Sequence, residues 1–304
     1  MTSPDPMEGL EGDARAAASR EIEALSQQLR LHNHLYYVEA APRISDAAYD
    51  DLFRRLQALE AEYPELLRAD SPTQRVGAEP KDGLPAVAHV VPMLSLDSSQ
   101  ELDAVRRFDE RLERALGGDV EREYLVEPKL DGASVELVYE DGVLVRGVTR
   151  GNGVVGEEVT ENVRTIRSVP LRLREEKRPI PTLLSVRGEA LMYLSAFEAL
   201  NEARMTAGEE PYQNPRNATS GALRQLDSRI TASRPLTVIA YDVLAVEGVE
   251  LETDVEGIRA LSDWGFLVPD RFDVVRDIDS IAAFHRAYDQ DRDDLDYEID
   301  GIVI

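Results

Sequence analysis

The chain has 304 residues, a formal net charge of −25 and no cysteine. The missing thiols exclude disulfides, cysteine nucleophiles and cysteine-ligated zinc, and the acidic balance argues against a large phosphate-binding footprint. Apolar residues make up 43% of the sequence, enough for a sizeable core, but no apolar run approaches the roughly 18 residues that a membrane-spanning helix needs.

The first residues, MTSPDPMEGLEGDARAAASR, lack the basic-then-apolar layout of a signal peptide, so a frayed terminus and a cytoplasmic address are expected. Residues 16–38 predict a helix with Ile22, Leu25, Leu29, His32 and Tyr36 on one face. Ser45 is the expected N-cap of a second helix, whose stripe is Tyr49, Leu52, Phe53, Leu56 and Leu59. ADSPTQRVGAEP is rich in turn formers and reads as a linker. Residues 1–75 are therefore expected to form a small helical unit, and 76–304 a mixed domain.

VELVYEDGVLVRGVTR predicts a hairpin turning at Asp141–Gly142. GEEVTENVRTI reads as a helix, LLSVRGEAL as a strand and LTVIAYDVLAV as a long buried strand. Ser195 with Glu198, and Thr253 with Glu256, have the spacing of capping boxes for two helices that stop at Gly208 and Gly265. Ile281, Phe284 and Tyr288 mark another helix, and YEIDGIVI a last strand. Hairpins outnumber βαβ units, which predicts an antiparallel α+β domain.

The chemistry centres on EPKLDG, residues 127–132, with Lys129 between Glu127 and Asp131. One reading is a charge that blunts a sheet edge; the other is a nucleophile. An amine attacks only when neutral, so the second reading requires cationic neighbours. Arg150 lies in a glycine-rich turn ahead of an expected helix whose N-terminus would favour anions, Arg187 lies beside Glu189 on a strand, and Arg216 and Arg224 lie in YQNPRNATSGALRQLD. Each has an ordinary structural reading when taken singly. His32, His34, His89 and His285 form no metal motif and are read as structural or solvated.

Taken together, EPKLDG, TRGNGVVGEEVTENVRTI, VRGEA, NPRNATSGALRQLD and EIDGIVI resemble, in order and spacing, the adenylation region of the NAD-dependent bacterial DNA ligases. LYYVEAAPRISDAAYDDL resembles their N-terminal helical subdomain, and PMLSLD the lead into the nucleotidyltransferase domain. The resemblance runs from about residue 20 to the last residue. It implies an ATP-grasp-like nucleotidyltransferase domain of antiparallel sheets flanked by helices.

By this resemblance Lys129 attacks the α-phosphorus of NAD, releases nicotinamide mononucleotide (NMN) and carries AMP, with Asp131 and Asp300 as its catalytic partners. Glu127, Ser95 and Leu96 are expected around the adenine, Arg150 and Glu189 at the ribose and phosphate, and Arg216 at phosphate or DNA. Tyr241 is either an adenine stack or a core aromatic. Tyr36, Asp46, Tyr49 and Asp50 are expected to grip the NMN half, Tyr49 doubling as a stripe residue. Magnesium is the implied metal, without assigned ligands, and nicked duplex DNA the implied partner of the full enzyme; a monomer is expected.

Asn152 stands where many members have Asp, a small departure that keeps a short polar turn residue, and Tyr37 where some have His, which leaves its contact on the nicotinamide side open. In the family a motif lysine follows EIDGIVI, then an OB-fold, a zinc finger and further DNA-binding modules, whereas this sequence stops at Ile304. The expectation is an adenylation region that binds NAD and does not seal nicks alone. Its alternatives are an ATP- or GTP-using relative with the same core, and an NAD-binding scaffold with impaired catalysis.

Overall fold

Alternation along two neighbouring strands divides one sheet into an oily face and a chemical face. In SVELVYE, Val135, Leu137 and Tyr139 point one way and Ser134 and Glu136 the other; in LSVRGEA, Leu184, Val186 and Ala190 oppose Ser185, Arg187 and Glu189. Cross-strand register sets Ser134 against Glu189, Glu136 against Arg187 and Val138 against Ser185.

The computed structural model describes residues 6–76, 79, 82–118 and 120–304, with side chains from residue 13 onward. In chain order the elements are α1 (Pro6–Tyr37), α2 (Asp46–Glu62), β1 (Ala86–Ala88), α3 (Leu102–Leu116), β2 (Tyr124–Leu130), β3 (Ala133–Glu140), β4 (Val143–Thr149), β5 (Val155–Glu157) and α4 (Thr160–Thr165). They continue with β6 (Leu183–Met192), α5 (Leu194–Thr206), α6 (Pro215–Leu223), α7 (Ser228–Ala232), β7 (Leu236–Glu247), α8 (Asp254–Asp263), β8 (Asp273–Val275), α9 (Ile278–Asp291) and β9 (Ile299–Val303). The sheets are β4-β3-β6-β7, β8-β2-β9 and the short pair β1-β5, and the pairings among them are antiparallel. This is the α+β architecture read from the hairpin pattern.

The main core lies under the oily face of β3 and β6, closed by α8 and by the segment after α4, with Trp264 and Tyr139 fully buried. Trp264 also satisfies its ring N–H on Pro179 O at 3.1 Å. The β3–β4 turn uses Asp141 (φ 46) and Gly142 (φ 77), the left-handed pair that a two-residue hairpin requires. Thr253 caps α8 by accepting from Glu256 N at 3.2 Å, while the Glu256 carboxylate reaches back to Glu252 N at 3.0 Å.

Several expectations are corrected. α1 begins at Pro6, ten residues before the expected start, so the stretch read as frayed is helical from there; residues 1–5 lie outside the described part. In the last turn of α1 the core side is taken by Asn33 and Leu35, leaving Tyr36 51% exposed. Ser195 is not an N-cap: α5 already starts at Leu194, and the Ser195 N–H and hydroxyl donate to Asp296 at 2.8 and 2.7 Å. β7 is buried only over its first half. The helix expected over GEEVTENVRTI shrinks to α4, because its first residues pair as β5.

The stretch read as a linker is an anchor. Asp70, Ser71 and Arg75 are buried. The Arg75 guanidinium donates to Arg164 O, Ile166 O and Val169 O, each at 3.0 Å, and so joins the helical unit to the segment behind β4. Gly77, Ala78, Pro80 and Lys81 lie outside the described residues.

Candidate active site

Lys129 emerges where two strands lose register. β2 and β9 pair Glu127 with Val303 and Pro128 with Ile302, then slip, so that Leu130 meets Ile299. The slip turns Lys129 toward Asp300, and Nζ lies 2.8 Å from each carboxylate oxygen. The lysine side chain is 43% exposed, at a mouth and not in a core.

One turn further on, Asp131 accepts from Arg216 Nη1 at 2.8 Å, and its own N–H is fixed on Glu298 O at 2.9 Å. Arg216 is held at the start of α6: Asn214 caps the helix by accepting from Asn217 N at 2.7 Å, and Pro215 occupies the first turn, where its missing N–H costs nothing. Gly132 makes this geometry possible, since a Cβ there would lie 2.2 Å from Ala190 O.

Behind the lysine, Ser134 Oγ donates to Glu189 Oε2 at 2.6 Å. Burial pushes the Glu189 carboxyl up to about 7, with Asp131 reinforcing and Ser134, Arg216 and Lys129 opposing. Glu127 is pushed up to about 8 by burial and by the nearby Asp242 and Asp254 carboxylates, and its Oε2 is buried without a hydrogen-bond partner. A carboxyl so placed is ready to bond a polar ligand edge. Tyr241 packs with Leu130, Leu191, Ile239, Tyr288 and Ile299, and burial raises its hydroxyl, with Glu189 adding to the effect. It is thus a packed aromatic on the same strand face as Glu189.

Arg150, at the end of β4, donates to Ser95 Oγ and so joins the turn to the exposed Ser95–Leu96 segment. Asn152 Oδ1 accepts from Val154 N and Val155 N at 3.0 and 2.9 Å, bonds that an aspartate oxygen would make equally well. In chain order β5 stands between this turn and α4.

The cationic ring expected around Lys129 is not what the structure holds. Arg187 lies 3.9 Å from Asp242, Arg224 Nη2 donates to Glu157 at 2.7 Å, and Arg150 is taken by Ser95. The direct partner of Lys129 is a carboxylate, and Arg216 reaches the cluster through Asp131. Nor are the helical-unit residues brought to it. Tyr49 donates to Asn33 Oδ1 at 3.1 Å and stacks on Phe53, Tyr36 packs on Tyr37, and Asp46 and Asp50 lie exposed on the first turns of α2. Among the described residues none of these four bonds to Lys129, Asp131, Asp300, Glu127 or Glu189.

Ser134, Asp242 and Asp254 were missed from the sequence. Ser134 was findable, since it shares a sheet face and a register row with Glu189; the two aspartates act on Glu127 by charge through space, a proximity that no local pattern encodes.

The cluster lies within the part of the chain, residues 81–304, that matches the family model described as NAD-dependent DNA ligase adenylation domain. The chain belongs to this family. Residues 15–77 match a second model, described as DNA ligase-like, N-terminal NAD+-binding domain. Among similar curated proteins, one named DNA ligase from Salinibacter ruber is 50% identical over 293 residues, covering 96% of this chain and 42% of that protein. DNA ligases from Geotalea daltonii (49% identical; 95% of this chain, 43% of the relative) and Haloarcula marismortui (50%; 96% and 41%) match in the same way. The chain therefore spans about two-fifths of the length of these relatives. No described helix is long and apolar enough to cross a membrane.

Proposed function

We propose that this chain performs the adenylate-transfer step of an NAD-dependent DNA ligase. What carries the reading is Lys129, set in its family's KxDG motif and bonded by both oxygens of Asp300, with Glu189, Asp131 and Arg216 around it. The ammonium first gives up a proton, for which Asp300 is the adjacent acceptor. The freed lone pair then forms a P–N bond to the α-phosphorus of NAD as the P–O bond to the NMN phosphate breaks, and loss of a second N–H proton leaves a neutral phosphoramidate nitrogen. Glu127 and the Ser95–Leu96 segment would face the adenine, with Tyr241 packing behind it, and Arg150 and Glu189 would face the ribose and phosphate. Tyr36, Asp46, Tyr49 and Asp50 would meet the NMN half if the helical unit closes over the mouth.

Among the described residues no three His, Asp or Glu side chains converge to hold a metal ion. Magnesium fits here only in company with substrate oxygens and water, held by one of the mouth carboxylates. When bound it supplies neutralisation of phosphate charge. In the whole protein the AMP would pass to the 5′-phosphate of nicked duplex DNA during replication and repair.

Intact-mass measurement after incubation with NAD and Mg²⁺ tests the reading: a gain of one AMP, absent in Lys129→Ala and not produced by ATP, is expected. A gain from ATP alone would instead make it an ATP-using relative. NAD binding without transfer is the second reading, favoured by the carboxylate that directly faces Lys129, and an unchanged mass with measurable NAD binding supports it.

A further inference from the structure

The segment that leads to Ser95 is tied to the Arg150 turn by a buried histidine. Beyond the β1–β5 pairing, His89 N donates to Val154 O at 3.0 Å and Met93 N to Gly153 O at 2.8 Å. The His89 ring itself is wholly enclosed, and so is its partner Glu136 on β3. Nε2 lies 3.0 Å from Arg150 O and Nδ1 lies 2.6 Å from Glu136 Oε2.

The bonding assigns the hydrogens. A carbonyl only accepts, so Nε2 carries a hydrogen. Glu136 Oε1 is already taken by Val90 N at 3.0 Å and by the Ser185 hydroxyl at 2.6 Å. One further proton therefore lies between Nδ1 and Oε2. Each polar atom of the ring and of the carboxylate is engaged, and turning the ring over would set ring carbons in place of Nδ1 and Nε2 against Glu136 Oε2 and Arg150 O. The anchor, Glu136, stands on the chemical face of β3, opposite Arg187 and two residues from Ser134. The held atom is the carbonyl of Arg150, at the head of a turn whose Gly151 (φ 55) and Gly153 (φ 90) leave its backbone intrinsically loose.

We propose that His89 is a positioning residue for adenylate transfer: it locks the Arg150 carbonyl to the β3 floor, and so fixes where the Arg150 guanidinium meets the phosphate of the nucleotide. The inference rests on the adenylation reading above. It assigns a task to a histidine that the sequence offered only as structural or solvated. A histidine suits it because two donors on opposite sides of one rigid ring span from Glu136 to the turn.

The two amide residues separate the two ends of the ring. An asparagine amide nitrogen falls near the site of Nδ1 and a glutamine one near that of Nε2, so His89→Gln keeps the donor to Arg150 O and His89→Asn keeps only the Glu136 end. Calorimetric titration of the full 304-residue chain with AMP and with adenosine, below the melting point of each variant, reads the outcome. His89→Asn should weaken AMP about ten-fold, the worth of one well-placed hydrogen bond, and leave adenosine unchanged. His89→Gln should restore AMP binding, and the KM for NAD in adduct formation should follow the same order. Equal losses in both variants, or parallel losses for AMP and adenosine, would overturn the proposal while leaving the adenylation reading standing. A wild-type chain that bound neither ligand would defeat that reading, and the clamp with it.

Discussion

Lys129 and Asp300 are 171 residues apart in sequence, yet the ammonium lies 2.8 Å from both oxygens of the carboxylate. Such a bridge sets a proton acceptor directly beside the amine. Asp300→Asn keeps the shape and removes the acceptor. The expected result is AMP-adduct formation slowed by about 10²-fold, the usual worth of a positioned base, with AMP affinity little changed. Rapid-quench mass analysis checks this, and Lys129→Arg, which keeps the charge without a usable lone pair, should form no adduct at all.

Glu127 makes folding stability depend on pH in an unusual direction. Its carboxyl rises from an ordinary 4.5 to about 8 in the folded chain, so the folded state binds the extra proton. Stability is then full below about pH 4.5 and falls as pH rises toward 8, at up to about 1.4 kcal/mol per pH unit. Glu189, raised to about 7, adds a similar slope that ends earlier. Glu127→Gln removes the ionisation. It should melt with the parent near pH 5 and above it near pH 8.5, as thermal unfolding at both pH values will show.

These two carboxyls also mark how far the sequence could be read. The helical pair, the Asp141–Gly142 hairpin and the strands carrying Lys129, Glu189 and Asp300 follow from local periodicity and turn chemistry, which act within a few residues. What was misread depends on the fold as a whole. Ser195 has the spacing of a cap, but Asp296, a hundred residues on, claims its donors. Residues 70–75 have the composition of a linker, but three distant carbonyls bury Arg75. α3, α6 and α7 were not predicted: α3 buries no residue fully, and α6 is nine residues with a glycine inside it. The guanidinium ring around Lys129 was inferred from a chemical need, and each arginine except Arg216 found an acid or hydroxyl elsewhere.

Asp70 is the electrostatic rivet of the helical unit. Burial raises its carboxyl, but hydrogen bonds from Arg68 (2.9 and 3.2 Å) and Arg172 outweigh this and hold it down to about 2, with Arg30 at 3.7 Å. Arg172 belongs to the segment behind β4 and the other two to the helical unit. The carboxylate's contribution is present above its ordinary 3.8 and fades as pH falls toward 2. Asp70→Asn removes the charge that Arg172 faces, while Arg30 and Arg68 keep Glu23 at 3.4 and 3.3 Å, and should cost about 2 kcal/mol, the order of the carboxyl's shift. Denaturant unfolding measures the loss, and trypsin should cut in residues 67–76 sooner than in the parent.

Gly132 sits two residues before Ser134 and three after Lys129, and a methyl group there would press 2.2 Å from Ala190 O and 3.0 Å from Glu189 Cγ. Backbone cannot swing aside as a flexible side chain can, so β2 and β3 must move off β6, and the Ser134–Glu189 bond moves with them. Gly132→Ala should cost about 1–3 kcal/mol by overpacking. A shift of Lys129 and Asp131 by an ångström should also slow adduct formation by about 10²-fold, even well below the melting point. Gly221, inside α6 with open space around its Cβ position, is the matched control: alanine there should stabilise by about 0.5–1 kcal/mol and leave the adduct rate unchanged. Melting curves and single-turnover rates on the two variants distinguish close approach at Gly132 from a general intolerance of alanine, since only the first predicts that the two substitutions move stability in opposite directions.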